Sequence, residues 1–214
     1  MNYVDCTDCV RRKNVPRYIL FCIIFMLSFI AMAGCSKKEI FITANDVDAD
    51  TILIKRNGSL YVAIVEDFDK NYYNLDELNE FVSKEVKAYN DKVGSKEVTI
   101  EELGLKNGKA VMILGYSKMA HYSAFNNMPA AYFSASTENV ALELPSEYVD
   151  AGKKSVVNKD TAMKNGKNQV LVLYEPYDII VEGDIKFYSG NATYMDENKV
   201  SSNSEDMTVV IYRP

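Results

Sequence analysis

The sequence contains few of the residues on which most enzyme chemistry depends. Its 214 residues include one histidine, no tryptophan and four cysteines, and all four cysteines lie within residues 1–35. The chain also lacks a H-E-x-x-H zinc motif, a G-x-x-x-x-G-K-[ST] phosphate loop, a G-x-G-x-x-G dinucleotide motif and a G-x-S-x-G nucleophile motif. Zincin, nucleotide-dependent and serine-hydrolase functions therefore have no support, and we predict no catalytic residue and no cofactor.

Long apolar runs are also scarce, and the one that approaches membrane-spanning length lies near the N-terminus. Residues 18–32 carry no charge, and Ala33 and Gly34 then come directly before Cys35. The basic residues that precede this run are Arg11, Arg12, Lys13 and Arg17. A basic region, an apolar region of this length and small residues at the cut are the parts of a secretory signal peptide.

The segment Met32-Ala33-Gly34-Cys35 resembles the lipobox of bacterial lipoproteins, with methionine where that family usually has leucine. The resemblance implies cleavage between Gly34 and Cys35 and attachment of lipid to the Cys35 sulfur. It also implies a location at the outer face of a bacterial plasma membrane. The rest of the chain resembles the small uncharacterised surface lipoproteins of Gram-positive bacteria, which implies no activity.

An uncleaved membrane helix is the alternative interpretation of the same run. Residues 18–34 number 17, which is the lower limit for a helix that spans a bilayer. The chain would then be a single-pass membrane protein. Both interpretations place the C-terminal bulk outside the cytoplasm, because the positive charge precedes the apolar run.

These expectations divide the chain into four parts. Residues 1–34 are the signal peptide, 35–40 the lipid-anchor site and a short tether, 41–160 an α+β domain, and 161–214 a β-rich C-terminal subdomain. Residues 35–214 hold 20 basic and 28 acidic residues, a formal net charge of −8. This charge argues against nucleic-acid binding, so we expect membrane contact through the anchor alone. The Cys6-x-x-Cys9 pair and Cys22 would leave with the leader, so the exported domain would contain no disulfide.

The fold class predicted for the exported part is α+β, with antiparallel hairpins, one long helix and one short helix. Runs of β-branched and apolar residues flank Asn57-Gly58 and Asn107-Gly108, and such runs around Asn-Gly indicate hairpins with type I′ turns. Asn74 is a predicted N-cap for a helix over residues 75–93, and Gly94 is its predicted stop. A short helix over 118–125, capped by Ser117, would complete a ββα–ββα duplication.

The remaining chain predicts a small C-terminal antiparallel sheet. The predicted strands there are 170–174, 177–181, 185–188, 192–195 and 208–212, and residues 198–206 are predicted to be a polar loop. A further strand is predicted before them, over residues 131–135. Lys164-Asn165-Gly166-Lys167 repeats the sequence of residues 106–109.

Candidate site residues are mostly acidic. Asp46, Asp48 and Asp50 alternate as at the start of a calcium loop, but the glycine and glutamate that an EF-hand needs later are missing, so they form a weak metal candidate. Glu66, Asp67 and Asp69 follow a predicted strand, which leaves a cell-wall or glycan hydrolase open as an alternative function. His121 is interpreted as a half-exposed helix residue beside Phe125.

Tyrosine is the one abundant unusual residue, with 13 copies after residue 34. Tyrosines form both strand cores and sugar- or protein-binding surfaces. The ones singled out are Tyr72, Tyr73, Tyr174, Tyr177, Tyr188 and Tyr194. The sequence as a whole predicts a non-enzymatic binding or accessory module of the cell envelope, with an envelope protein or a glycan as its ligand.

Overall fold

The computed structural model describes residues 40–138 and 140–214, and residues 39–214 form one compact unit. The described chain contains three α-helices: α1 (Leu75–Val93), α2 (Met119–Asn126) and α3 (Lys159–Met163). A 3-10 helix covers Ala44–Asp46. The strands are β1 (Thr51–Ile54), β2 (Leu60–Asp67), β3 (Val98–Lys106), β4 (Lys109–Tyr116), β5 (Ala131–Ser134), β6 (Glu147–Asp150), β7 (Val156–Asn158), β8 (Gln169–Leu173), β9 (Asp178–Val181), β10 (Asp184–Tyr188), β11 (Ala192–Asp196), β12 (Lys199–Ser202) and β13 (Thr208–Arg213).

The strands form two sheets, which makes the fold a mixed α and β structure. The first sheet has seven strands in the order β11-β12-β9-β1-β2-β4-β3. Its neighbours are antiparallel except β1 and β9, which run parallel with Thr51 opposite Asp178 and Ile54 opposite Val181. The second sheet is antiparallel, with the order β5-β8-β13-β10-β6-β7. It contains the predicted C-terminal strands β8, β10 and β13, whereas the predicted strands β9 and β11 lie in the first sheet.

The main core forms from apolar side chains of both sheets and of α1 and α2. Alternation along β8 illustrates the pattern, since Leu171 and Leu173 enter the main core while Val170 and Val172 enter a second cluster on the other face of the strand. Helix α3 contributes Ala162 to that second cluster. The segment before β1 covers the outer face of the first sheet with Ala44 and Val47. Each sheet therefore buries both faces over part of its area.

Helix α1 forms as the sequence predicts. The Asn74 side chain accepts hydrogen bonds from the backbone N–H groups of Asp76 (2.9 Å) and Glu77 (3.3 Å). Gly94 ends the helix with a left-handed φ of 76° and donates its N–H to the carbonyl of Asn90. Helix α2 begins one residue later than predicted, and its N-cap is Lys118 rather than Ser117, with no side-chain cap.

The two predicted Asn-Gly turns have different backbone conformations. At Asn107-Gly108 both residues have positive φ, 52° and 79°, as a type I′ turn requires. At Asn57-Gly58 only Gly58 has positive φ, and its N–H donates to the carbonyl of Lys55. That hairpin therefore closes with a type I turn and a glycine bulge, so the type I′ prediction is wrong there.

The C-terminal part differs from the prediction in two respects. The predicted loop 198–206 contains strand β12, in which Val200 is fully buried. Strand β9 pairs with β1, and β8 pairs with β5, so residues on both sides of position 160 contribute to each sheet. The long-range pairing of β9 with β1 has no local sequence signal, because both are short apolar runs.

The hairpins give the first sheet two distinct ends. The entry end contains Ile40, the Lys55–Ser59 turn and the Glu182–Asp184 connection, which hydrogen bonds join. The opposite end contains the Asp67–Asn74 connection and the Asn107-Gly108 turn, where Phe68 donates its N–H to the carbonyl of Gly108. Strand β2 runs from one end to the other, so the ends lie about 23 Å apart.

Candidate functional site

The predicted lipid site lies outside the described residues. Gly34 and Cys35 both precede residue 40, so cleavage and acylation remain predictions. Within 40–138 and 140–214, no helix is long and apolar enough to cross a membrane.

The three alternating aspartates bind three different partners, through hydrogen bonds and one ion pair. Asp46 accepts from the N–H and hydroxyl of Thr43, which lowers its pKa, and the Asp50 carboxylate accepts the N–H of Val65 at 2.8 Å. Asp48 pairs with Lys106 at 2.9 Å, and this hydrogen bond lowers its pKa. In the part of the chain that the structure describes, no three histidine, cysteine or acidic side chains are grouped as a metal site requires.

The candidate acids Glu66 and Asp67 end β2 and Asp69 follows it, and all three are exposed. Asp67 pairs with Lys109 at 3.0 Å and Asp69 with Lys70 at 3.2 Å. Each of these two carboxylates is thus paired with a neighbouring lysine at the opposite end.

His121 lies between two polar partners. Its Nδ1 is 3.0 Å from the Tyr89 hydroxyl, and its Nε2 is 3.3 Å from a Glu97 carboxylate oxygen. Glu97 also accepts the hydroxyls of Ser117 and Ser95, which hold its pKa below the usual value. The predicted half exposure is found, and the imidazole links α2 to α1 and to the chain before β3.

The tyrosines separate into three groups by burial. Tyr177 and Tyr188 belong to the main core, where the Tyr177 hydroxyl is 3.1 Å from that of Tyr122. Tyr174 and Tyr194 are half-buried. Tyr72 and Tyr73 are exposed at the opposite end. Tyr148 was not singled out from the sequence; it is buried with no hydrogen-bond partner among the described residues, and burial raises its pKa to about 12.

A cavity of about 790 Å³ lies at the entry end, and we call it the entry cavity. Strand β10 provides one wall with Asp184, Ile185, Lys186 and Phe187. The other lining residues are Asp150, Ala151, Gly152, Thr161, Lys164, Asn165, Asn168, Tyr194, Glu197 and Arg213. Its volume lies in the range typical of small-molecule sites.

Strand register places Arg213 in this cavity. Arg213 lies opposite Asp184 in the β10–β13 pair, and its Nε donates to the Asn168 side chain at 2.9 Å. Gly183, which precedes β10, approaches this end of β13 so closely that a Cβ atom would lie 2.1 Å from the Arg213 carbonyl oxygen. Only glycine permits this approach, and within the described residues no hydrogen bond of the terminal guanidinium nitrogens is found.

The remaining charges in the entry cavity divide into paired and available groups. Lys186 pairs with Asp184 at 3.2 Å, and Asp150 accepts the N–H groups of Gly152 and Lys153 in a turn. Lys164 and Glu197 are exposed, and no hydrogen bond or ion pair of their side chains is found within the described chain. The cavity therefore offers Arg213 and Lys164 to an anionic group and Glu197 to a cationic or hydroxyl group.

Sequence reasoning missed the entry cavity, although one signal for it was visible. Lys164-Asn165-Gly166-Lys167 repeats the sequence around the Asn107-Gly108 turn, but Gly166 has no positive φ, and the segment contributes Lys164 and Asn165 to the cavity wall. The other lining residues come from strands and turns spread from residue 150 to residue 213. Their proximity depends on strand order, which no local pattern reveals.

The arrangement suits binding of a polar ligand. The apolar sides of Ile185 and Phe187 lie beside amide, hydroxyl and charged groups, which is the usual composition of small-molecule sites. Comparison with known proteins adds no constraint, since no protein-family model, no curated protein and no solved structure matches this chain.

Proposed function

We propose that this chain is a lipid-anchored extracytoplasmic binding module of the cell envelope, that it has no catalytic activity, and that its ligand site is the entry cavity. We assign the ligand site from one observation. Arg213, Lys164 and Glu197 line the same cavity of about 790 Å³, beside the apolar side chain of Phe187. Such a site orients a ligand by charge-assisted hydrogen bonds and holds it by apolar contact.

The ligand we propose is an envelope molecule with an anionic group and an amino or hydroxyl group. Peptide-bearing glycan fragments of the cell wall have both. Arg213 would bind the carboxylate in a planar, two-bond geometry, and Lys164 would add a second positive charge. Glu197 would accept from the amino or hydroxyl group. Opposite charges on the two sides of the site favour such a ligand over a purely anionic one.

Intrinsic fluorescence provides a direct binding test, because the chain contains no tryptophan. A Tyr194→Trp variant carries its only indole in the entry cavity, and a Tyr72→Trp variant carries it at the opposite end as the matched control. We expect purified cell-wall glycopeptide fragments to shift the emission of Tyr194→Trp and to leave Tyr72→Trp unchanged.

Charge variants identify the groups that bind. In the Tyr194→Trp background, Lys164→Gln should weaken binding about tenfold, the effect of one charge-assisted hydrogen bond. Lys167→Gln is the control, because Lys167 is an exposed neighbour that does not line the cavity. Equal shifts in the two tryptophan variants, or release of sugars from wall material by the protein, would contradict the proposal.

The anchor has a separate test. Metabolic labelling with a palmitate analogue should mark the wild-type protein and Cys22→Ala, and it should not mark Cys35→Ala. Labelling that persists in Cys35→Ala would favour the uncleaved single-pass helix instead.

The repeated order of elements supports a further proposal, that β1–β2–α1 and β3–β4–α2 arose as a ββα–ββα duplication. In the first sheet β1 and β3 flank β2 and β4, which pair with each other antiparallel. A two-fold axis between β2 and β4 would exchange the halves. Independent folding of each half as a stable dimer would be the expected property of such a unit, and its absence would count against the proposal.

A further inference from the structure

The entry cavity lies at the end of the domain from which the chain leads back to Cys35, and we infer that it receives the zwitterionic head group of a membrane lipid. The inference rests on the lipid anchor and the ligand site of the proposed function. It assigns the site a different envelope ligand from the wall glycopeptide, namely a lipid of the same bilayer that holds the anchor, and it adds a membrane contact beyond the anchor itself.

The first step is the attachment of the chain at Ile40. The Ile40 N–H donates to Glu182 at 3.0 Å, and its carbonyl accepts from the Lys55 ammonium at 2.7 Å. Lys55 and Glu182 pair with each other at 2.7 Å, and their side chains are only 6% and 11% exposed. The position at which the chain enters the domain is thereby fixed by a buried ion pair.

The second step is the length of the tether. Four residues separate Cys35 from Ile40. Whatever conformation they adopt, five residue steps span at most about 18 Å. If Cys35 carries lipid at the membrane surface, the entry end lies within that distance of the bilayer, and the opposite end lies about 23 Å farther along β2.

The third step is the proximity of the cavity to this attachment. Glu182 holds Ile40, and Asp184, two residues later, lines the entry cavity. Two residue steps cover at most about 7 Å of chain. Lys164 and Arg213 line the same cavity, so its cationic groups lie at the end of the domain that the tether holds near the bilayer.

The chemistry of the cavity suits a zwitterionic head group. A phosphate would bind Arg213 and Lys164, and the ammonium of an ethanolamine head group would bind Glu197. The side chains of Ile185 and Phe187 would contact the glycerol carbons. A head group without an amine, such as that of phosphatidylglycerol, would offer Glu197 only a neutral hydroxyl. Because a hydrogen bond between charged partners is the stronger one, phosphatidylethanolamine should bind better than phosphatidylglycerol.

The orientation is tested with the lipid-anchored protein in proteoliposomes. The described residues contain no cysteine, so Arg56→Cys at the entry end and Asn71→Cys at the opposite end each give one site for a fluorescent label. Both positions are exposed. A nitroxide attached to lipid head groups should quench the label at residue 56 severalfold more than the label at residue 71. Equal quenching, or the reverse order, would overturn the inference.

The head-group preference is tested with Tyr194→Trp in the same vesicles. We expect an emission shift when phosphatidylethanolamine replaces phosphatidylcholine, whose quaternary ammonium has no N–H to donate to Glu197, and a smaller shift with phosphatidylglycerol. Most of the shift should be lost in Lys164→Gln but not in Lys167→Gln. Soluble glycerophosphoethanolamine should compete for the site. If wall glycopeptides bind and the lipids give no shift, the proposed function stands and the lipid inference fails. If the lipids shift the control Tyr72→Trp equally, the effect is unspecific and the inference fails as well.

Discussion

The two ends of the first sheet are both closed by Asn-Gly hairpins, yet they differ in what surrounds the turn. At the entry end, Gly58 lies against the Tyr132 ring, and Lys55 and Glu182 form a buried pair that also binds backbone. At the opposite end, the space around Gly108 is open, with no heavy atom within 4 Å of an added Cβ. Similar turn sequences thus occur in different surroundings. The Asn57-Gly58 turn packs against other parts of the domain, whereas the Asn107-Gly108 turn is exposed to solvent.

Aromatic side chains show the same difference. At the opposite end Tyr73 stacks on Phe68 with centroids 4.9 Å apart, and Tyr72 contacts Tyr73 edge to face at 5.0 Å. These rings contact each other, and Tyr72 is 73% exposed. At the entry end the Phe41 ring lies 4.3 Å from the Lys55 ammonium. We therefore expect substitutions at the entry end to affect folding more than comparable ones at the opposite end.

The largest effect is expected from Glu182→Gln in residues 39–214. The substitution removes the Glu182 carboxylate from its 2.7 Å contact with the Lys55 ammonium, so the free energy of unfolding should fall by about 3 kcal/mol. Urea denaturation followed by circular dichroism measures it. Asp67→Asn, which breaks the exposed pair with Lys109 at the opposite end, is the control and should change stability by less than about 1 kcal/mol. Similar losses in both variants would remove the energetic difference between the ends.

The same pair predicts a pH dependence. Burial opposes ionisation of Glu182, but hydrogen bonds from Lys55 and from two backbone N–H groups outweigh it and hold the pKa below its ordinary value. The unfolded chain therefore binds the proton more readily, and this contribution to stability is present above the ordinary pKa and is lost as pH falls through the folded one. The wild type should lose more stability than Glu182→Gln between neutral and acidic pH.

A smaller difference should separate the two turn glycines. Gly108→Ala forces alanine to adopt a positive φ, and this strain alone should lower the free energy of unfolding by about 1 kcal/mol. Alanine at Gly58 has the same strain, and its Cβ would also lie 3.3 Å from the Tyr132 ring, so we expect about 2 kcal/mol. Thermal unfolding of both variants decides the order. A larger loss for Gly108→Ala would show that the entry-end turn is not the more tightly packed one.

At the opposite end, Asn74 stabilises α1 as its N-cap. Asn74→Ala removes the acceptor of two backbone N–H groups and should cost about 1 kcal/mol. Asn74→Asp retains an acceptor and should restore most of the loss, because aspartate caps helices equally well. Failure of aspartate to restore stability would assign the loss to some contact other than capping.

The capped helix also explains which parts of this fold were predictable. Helix α1 and the Asn107-Gly108 turn depend on residues a few positions apart, so their sequences specify them. The β1–β9 pair joins residues more than 120 positions apart, and the entry cavity combines Asp150 with Arg213. The separate contacts of Asp46, Asp48 and Asp50 likewise depend on Thr43, Lys106 and Val65, which alternation alone does not identify. Helix α1 and the turn therefore follow from residues close in sequence, whereas the entry cavity follows from the order of the strands in the sheets.

The smallest expected effect compares two aromatic residues of similar exposure. Phe41 is 60% exposed and Tyr72 is 73% exposed. Phe41→Ala removes a ring that contacts a buried ammonium, which should cost about 1 kcal/mol, whereas Tyr72→Ala should cost less than about 0.5 kcal/mol. Paired urea titrations measure the difference. Phe41→Leu keeps most of the apolar area but removes the aromatic ring, so it separates the cation–π contribution from the contribution of apolar burial. Equal costs for Phe41→Ala and Tyr72→Ala would mean that contact with Lys55 adds nothing, and that the entry end is held by the Lys55–Glu182 pair and the backbone alone.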